Sequence, residues 1–391
     1  MNVKVVVTGI GLRSTLGILQ VSWKKLLSGQ SGIQFHQPFP QLKSRPLALI
    51  HQQPADLKTL TQDILVDALK DADLTPPLPD CGVVIGSSRG YQAQWEEFAI
   101  QQYQQKNLTE NNRQSSLQNS ILYQVPIPHF FHHIVAIDTA HYIRSNAPVL
   151  SPMAACSTAF WTIAQAYELI ARGDCTQAIA GAVETPITPL TLAGFDKMGA
   201  MASTGSYPFD RQREGLVLGE GGAMFVLESI ESAQRRSAKI YGEVLGFGLT
   251  ADACSSNRPD LEGKSAITAI KSCLSRSQLL PQNIDYIHAH GTATQLNDQH
   301  EANLISQIFS NDIAVSSTKG ATGHTLGASG ALGMAFCLMA LQEQILPPCV
   351  GLKEPDFNLN LVREAQKAAI QNVLCLSFGF GGQNGAIALS L

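Results

Sequence analysis

The order in which strand-like and helix-like stretches follow one another constrains this chain most, because that order runs through once and then starts over. Val3–Thr8 reads as an apolar strand, with Gly9, Gly11 and Gly17 punctuating a turn before a short helix, Val21–Leu27. Leu57, Leu60, Ile64, Leu65, Ala68 and Leu69 recur at helical spacing, and Cys81–Gly86 and Thr176–Ala182 read as strands. Past the polar connector Gln234–Lys239, a strand over Ile240–Leu249 again precedes a helix, Ala266–Leu280, and a strand, Ile284–His288. Val315–Leu341 then gives strand, small-residue turn and apolar helix, and Val373–Ser377 is the last strand. The repetition predicts an α/β chain of duplicated βαβ halves, 1–235 and 236–391, whose parallel sheets sandwich helices.

Within the first half, Ser151–Arg172 sets a cysteine where a strand-like run turns into a helix. After Cys156, Ala159, Phe160, Ile163, Ala166, Tyr167 and Ile170 keep the spacing of a buried stripe, and Gly173 supplies a C-terminal cap. A thiol at a helix N-terminus meets unpaired N–H groups and the positive end of the dipole, which favour a thiolate and an oxyanion. Ala154, Ala155, Ser157 and Ala159 leave room for a carbonyl to approach. The competing reading is a buried small hydrophobe among alanines.

Composition narrows the classes. The chain is 45% hydrophobic, as globular chains are, and a formal charge of −4 gives no nucleic-acid footprint. Eight cysteines form no CxxC pair, which suits reduced thiols in a cytoplasm-like compartment over a disulfide framework or zinc ribbon. MNVKVVVTGIG reads as a first strand and not a signal peptide, and Ala335–Leu341 is too short an apolar run to span a membrane. Gly9-Ile-Gly11 does not complete a dinucleotide fingerprint. Gln92–Gln124, rich in Gln and Asn, reads as a solvated helix and loop. His129, His132, His133 and His141 read as polar decoration in preference to a metal site.

Three further turns carry reactive residue types. His290-Gly-Thr-Ala-Thr294 leaves the strand Ile284–His288, where an open α/β sheet presents its crevice. His288 and His290 share a face of extended chain and, with Asp298 and His300, form an alternative metal site. Ser316-Ser-Thr-Lys319-Gly-Ala-Thr-Gly323-His324 lacks the order of a phosphate loop. Ser377-Phe-Gly-Phe380-Gly-Gly-Gln-Asn384 is a glycine loop whose N–H groups suit an oxyanion hole or simply fill space.

Together these segments resemble the β-ketoacyl synthases of the thiolase-like superfamily, in particular the elongating Cys-His-His class. The resemblance rests on VVVTGIG, AACSTA around Cys156, PFDRQREGLVLGEGG, HAHGTAT, SSTKGATGHTLGASG and SFGFGGQNG, and covers nearly the whole chain. It implies a thiolase-like fold, a layered α-β-α-β-α sandwich. It implies that Cys156 takes the acyl group from a thioester and that His290 and His324, as neutral imidazoles, act on a malonyl thioester as carbon dioxide leaves. The N–H groups of Cys156 and Phe380 correspond to the oxyanion hole, and the Phe380 ring to a gate. Lys319 and Glu301 resemble the family's buried ion pair; Thr292 and Thr294 correspond to hydroxyls holding a phosphopantetheine arm, with Gly379 and Gly381 beside the substrate.

The implied reaction is a decarboxylative Claisen condensation in fatty acid, polyketide or related lipid synthesis, needing no metal and no cofactor beyond the phosphopantetheine arm of an acyl carrier protein. A homodimer in the cytoplasm is implied, with a heterodimer open. The alternatives are a non-catalytic chain-length partner of another synthase and an acyltransferase or thioesterase on the same scaffold. Initiating synthases typically carry Asn in place of the second histidine, and chain-length partners typically lack the cysteine; Cys156 and His324 are both present. His288 stands where the family often has Asn or Glu, and Gln383 where Thr is usual. Lys24, Lys25, Arg211, Arg213, Arg235 and Arg236 are candidate docking groups for an acidic carrier, or ordinary surface charge.

Overall fold

A computed structural model describes residues 3–111, 131–255, 259–260 and 262–391. The path of its main sheet runs through β1 (Val5–Ser14), β2 (Cys81–Gly86), β3 (Val149–Leu150), β4 (Gln177–Glu184), β5 (Gly221–Ser229), β6 (Gly242–Ala251), β7 (Tyr286–His288), β8 (Ala314–Ser316), β9 (Asn360–Leu361), β10 (Asn372–Gly379) and β11 (Gln383–Ser390). They lie in the order β9-β8-β7-β10-β11-β6-β1-β5-β4-β2-β3. About the β1–β6 junction the wings repeat the same path, 1-5-4-2-3 on one side and 6-11-10-7-8 on the other. The duplication predicted from element order is therefore present.

The sheets are not parallel throughout. The outer pairings β2–β3, β2–β4, β7–β8, β7–β10 and β8–β9 are parallel, whereas β1–β5, β4–β5, β10–β11, β6–β11 and β1–β6 are antiparallel. The final strand β11, missed in the sequence, follows β10 directly through the glycine loop, and so tight a connection permits only antiparallel pairing.

Helices fill three layers. The central one holds α5 (Thr158–Arg172) and α8 (Ser329–Glu343), with α1 (Leu19–Leu27) at its margin. Every residue of α8 from Ser329 to Leu341 is buried, which is why it is apolar all round and lacks a polar face. By length and composition Leu326–Glu343 is long and apolar enough to cross a membrane, but here it is the protein's innermost helix. One outer layer holds α2 (Leu57–Asp71) and α4 (Ile134–Ile143) against β2 and β4; the other holds α6 (Lys264–Arg276) and α7 (Gln295–Ile308). The helix α3 (Gln92–Asn111) covers the start of the Gln-rich stretch, whose remainder lies outside the described residues, as does His129.

Glycines explain how close the outer helices come. Gly9 and Gly11 lie inside β1, not in a turn after it, and a Cβ at Gly11 would sit 2.0 Å from the Ile64 carbonyl oxygen of α2. The equivalent position in the other wing is Gly248 of β6, where a Cβ would meet the Ala269 carbonyl of α6 at 1.8 Å. Each wing thus uses a side-chain-free strand position to seat its outer helix.

Candidate active site

The chain leaves β3 and makes a tight turn before α5. Ala155 there adopts φ +48°, the left-handed region, and Thr158 clamps the turn by donating to the Ala155 carbonyl at 2.7 Å and accepting from the Ala154 N–H at 2.9 Å. Cys156 sits two residues before the first helical residue, so it faces the helix mouth without being part of it. From the opposite wing, the Ser377 hydroxyl at the end of β10 donates to the Cys156 carbonyl at 3.1 Å. Gly379 lies so close that a Cβ would approach the Cys156 nitrogen to 3.0 Å, and the Phe380 N–H lies near enough to favour the Cys156 thiolate.

The expectation of a resting thiolate is corrected. Burial pushes the Cys156 thiol up to about 11, outweighing Lys319, Arg89 and the Phe380 N–H, which pull it down. The same burial holds His290 and His324 well below the usual imidazole range, with Lys319 adding to the effect, so both rings are neutral near pH 7. Their centroids lie 5.4 Å apart, edge to face at 84°. Ser329 Oγ is 2.7 Å from His324 Nδ1, and Lys319 Nζ is 3.4 Å from His290 Nδ1.

Lys319 and Glu301 do not touch: among the described residues no ion pair within 4 Å joins them. Lys319 donates instead to the His290 carbonyl, while the Glu301 carboxylate accepts the N–H groups of His290 at 2.6 Å and Gly291 at 2.7 Å. The two charges therefore grip the His290 turn from opposite sides. Burial, the dominant influence on each, raises Glu301 and lowers Lys319.

One cavity of about 380 Å³ collects Cys156, His290, His324, Thr292, Thr294, Gly379 and Phe380. Thr292 and Thr294 share a hydroxyl contact of 3.0 Å, and Thr294 also caps α7 by accepting from Asn297. The Phe380 ring stacks on Phe195 at 5.9 Å. Gly381, expected beside the substrate, is off the wall; Gly382 lines it instead, because the loop turns through φ +78° and +70° at these glycines. His300, Asp252 and Asn384 also line it, and nothing in sequence spacing joins three residues from α7, the end of β6 and β11.

The alternative metal set of His288, His290, Asp298 and His300 is not assembled. Asp298 accepts the N–H groups of Phe209 and Ala293, and His288 turns the other way, towards Cys375 and Cys337. Among the proposed docking groups, Arg213 is buried against Asp356 and Phe357, and Arg236 is paired with buried Glu228, so neither is available to a partner. Lys24, Arg211 and Arg235 remain exposed. His132, His133 and His141 belong to no metal-holding group among the described residues.

Models of the beta-ketoacyl synthase N-terminal and C-terminal domains match residues 60–233 and 241–353. The 3-oxoacyl-[acyl-carrier-protein] synthase 2 of Coxiella burnetii is 35% identical across 99% of this chain and 98% of that protein. The mitochondrial 3-oxoacyl-[acyl-carrier-protein] synthase of Arabidopsis thaliana is 31% identical, across 98% and 92%. A solved beta-ketoacyl synthase from Burkholderia phymatum superposes with a TM-score of 0.85 at 26% identity, covering 100% of this chain and 99% of that one. A type II polyketide ketosynthase complex with its acyl carrier protein and a hexaketide shares the fold at a TM-score of 0.90 and 24% identity, over the full length of both chains. Matched nearly end to end in sequence and in its thiolase-like fold, the chain belongs to the beta-ketoacyl synthase family, acyltransferases that carry out the Claisen condensation of fatty acid or polyketide synthesis.

Proposed function

We propose that Cys156 carries the acyl group and that His290 and His324 promote attack by a malonyl-derived carbon. In the first half-reaction the sulfur bonds to the acyl carbonyl carbon, the carrier's C–S bond breaks, and the departing carrier sulfur takes the proton of the Cys156 thiol. In this reading the N–H groups of Cys156 and Phe380 stabilise the tetrahedral oxyanion. Because the thiol rests protonated, a neutral histidine of the same cavity serves as the acceptor through which that proton passes.

In the second half-reaction carbon dioxide leaves the malonyl thioester and its electrons form the new carbon–carbon bond. The acyl C–S bond breaks, and a proton returns to Cys156. The negative charge on the malonyl thioester oxygen needs donors. A lysine ammonium can only donate, so Nδ1 of His290 accepts from Lys319 and that neutral ring keeps its proton on Nε2 for the oxygen. In this reading Ser329, 2.7 Å from Nδ1 of His324, donates there and leaves that ring the same tautomer. Lys319 and Glu301 are positioning residues that hold the His290 backbone. The single observation that carries this reading is the convergence of one thiol and two neutral imidazoles on one cavity.

The substrates of this reading are acyl and malonyl thioesters on an acyl carrier protein, whose phosphopantetheine arm passes Thr292 and Thr294. A condensation without electron transfer needs no further cofactor. The exposed edge strand β3, with Val149 at 38%, Leu150 at 37% and nearby Met153 at 60% exposure, supports a homodimer in which a second copy covers that edge. Free thiols suit the cytoplasm, and the repeated strand order suits a division into 1–235 and 236–391. Intact-mass detection of an acyl adduct on Cys156, followed by its loss with carbon dioxide release on adding malonyl carrier protein, tests the mechanism. An adduct on another residue, or hydrolysis in place of chain extension, overturns it.

A further inference from the structure

One imidazole in the cavity has no task in that mechanism. His300 sits on α7 immediately before Glu301, lines the same cavity as Cys156, and is only 7% exposed. Its ring packs edge-on against Phe378 at 6.4 Å, and Phe378 in turn packs edge-on against His290 at 6.0 Å. Gly263 covers the Cε1 side, where a Cβ would come within 3.1 Å. Among the described residues neither ring nitrogen has a hydrogen-bond partner.

The neighbouring carboxylate is engaged elsewhere. Asp252 accepts from Asn384 at 2.7 Å, from the Asp260 N–H at 2.9 Å and from the Ser265 hydroxyl. A buried polar ring with no hydrogen-bond partner among the described residues, turned into a substrate cavity, leaves its hydrogen bond to be completed by what enters. The nearby negative groups, Asp252 and Asp260, disfavour an anionic ligand there. A neutral imidazole offers an N–H, and the complementary neutral acceptor is a carbonyl oxygen.

We propose that His300 is a specificity-determining residue that donates a hydrogen bond to a carbonyl oxygen of the thioester occupying the cavity. This rests on the reading of that cavity as the place where Cys156 is acylated. Two parts of such a ligand carry the required oxygen: an amide of the pantetheine arm and a keto group on the acyl chain. The role is to read the substrate, and no bond to carbon is made or broken at His300.

The test compares wild type, H300A and H300Q by the rate of Cys156 acylation, followed by intact mass over a range of substrate concentrations. The substrates are a saturated acyl pantetheine, the 3-ketoacyl pantetheine of the same length, and a saturated acyl ester of a simple alkanethiol, which has no amide. H300A is expected to raise KM about tenfold, the worth of one buried hydrogen bond, with kcat little changed. A rise on both pantetheine esters and not on the alkanethiol ester assigns the oxygen to the arm; a rise confined to the 3-ketoacyl ester assigns it to the chain. Recovery in H300Q, whose amide also donates, supports the hydrogen bond over a packing effect. An equal change on all three substrates, or no change, overturns the proposal while leaving Cys156 as the acyl acceptor. Wild type that acylates Cys156 with none of the three overturns the underlying reading as well.

Discussion

Two Cys-His clusters lie within one stretch of this fold, and only one of them opens on a cavity. Cys156 lines one cavity with His290 and His324; on the other side of the same turn, Cys375 Sγ lies 3.6 Å from His288 Nδ1, with Cys337 alongside. His288 and His290 are two residues apart, and Cys375 is two residues before Ser377, which holds the Cys156 carbonyl. Both sulfurs are buried, Cys156 at 8% exposure and Cys375 fully enclosed. Thiol acidity separates them in the wrong direction for the assignment: burial opposes ionisation of Cys375, yet the hydrogen bond from Cys337 and the nearby His288 draw it below its ordinary value, while Cys156 is pushed up. What differs is access. Gly333 packs so tightly on the second cluster that a Cβ would lie 2.9 Å from His288 Nδ1 and 3.2 Å from Cys375 Sγ, whereas the first faces open volume.

The largest expected effect comes from removing each sulfur in turn. Cys156→Ala should lower condensation at least about a thousandfold, as loss of a covalent nucleophile does, with Cys375→Ala within about threefold of wild type. Carbon dioxide release and product formation measure both, and comparable losses would erase the distinction. Alkylation sharpens it from the side of access. In a Cys254→Ser background, which removes the exposed thiol, iodoacetamide should label Cys156 at least about tenfold faster than Cys375, read by peptide mass. Faster labelling of Cys375 would mean that acidity, not access, governs reactivity here.

The histidines offer a finer comparison. His324→Ala should reduce malonyl decarboxylation about a hundredfold while leaving Cys156 able to take an acyl group. His288→Ala, which strips Thr318 Oγ1 of a partner 3.1 Å away, should cost about 1–3 kcal/mol of stability in denaturant titration, with little change in turnover. The smallest effect is with pH. His290 and His324 have folded pKa values far below 6.5, so the unfolded chain binds protons first as pH falls past about 6.5. Stability should therefore decline below that pH by up to about 1.4 kcal/mol per pH unit for each histidine, while turnover shows no histidine limb near pH 6.5. A turnover limb at 6.5 would place a charged imidazole in the cavity.

Much of this was legible in the chain. The strand Cys81–Gly86 and the cap at Gly173 fall where the apolar run and the glycine put them, because both depend on neighbours in sequence. Cys156, His290, His324, Thr292, Thr294 and Phe380 were identified by their motifs, and all line the one cavity. The parallel sheet was misjudged because strand direction depends on which neighbour a strand finds across the fold, and alternation along the chain is the same either way. The extent of β1 was misjudged because Gly9 and Gly11 look like turn residues until α2 is laid on them.

The amino-acid order by itself determined the doubled succession of elements, the turn that presents Cys156 and the identity of the two histidines. The first two are short-range matters of spacing, capping and side-chain size, whereas the histidines are identified by the resemblance of their motifs to the family's. Only the tertiary structure decided that Lys319 and Glu301 grip the His290 turn without touching each other, that Cys156 rests as a thiol, and that His300 turns into the cavity while His288 is sealed behind it. Burial sets those outcomes, and burial is fixed by residues far away along the chain that fold up against the site.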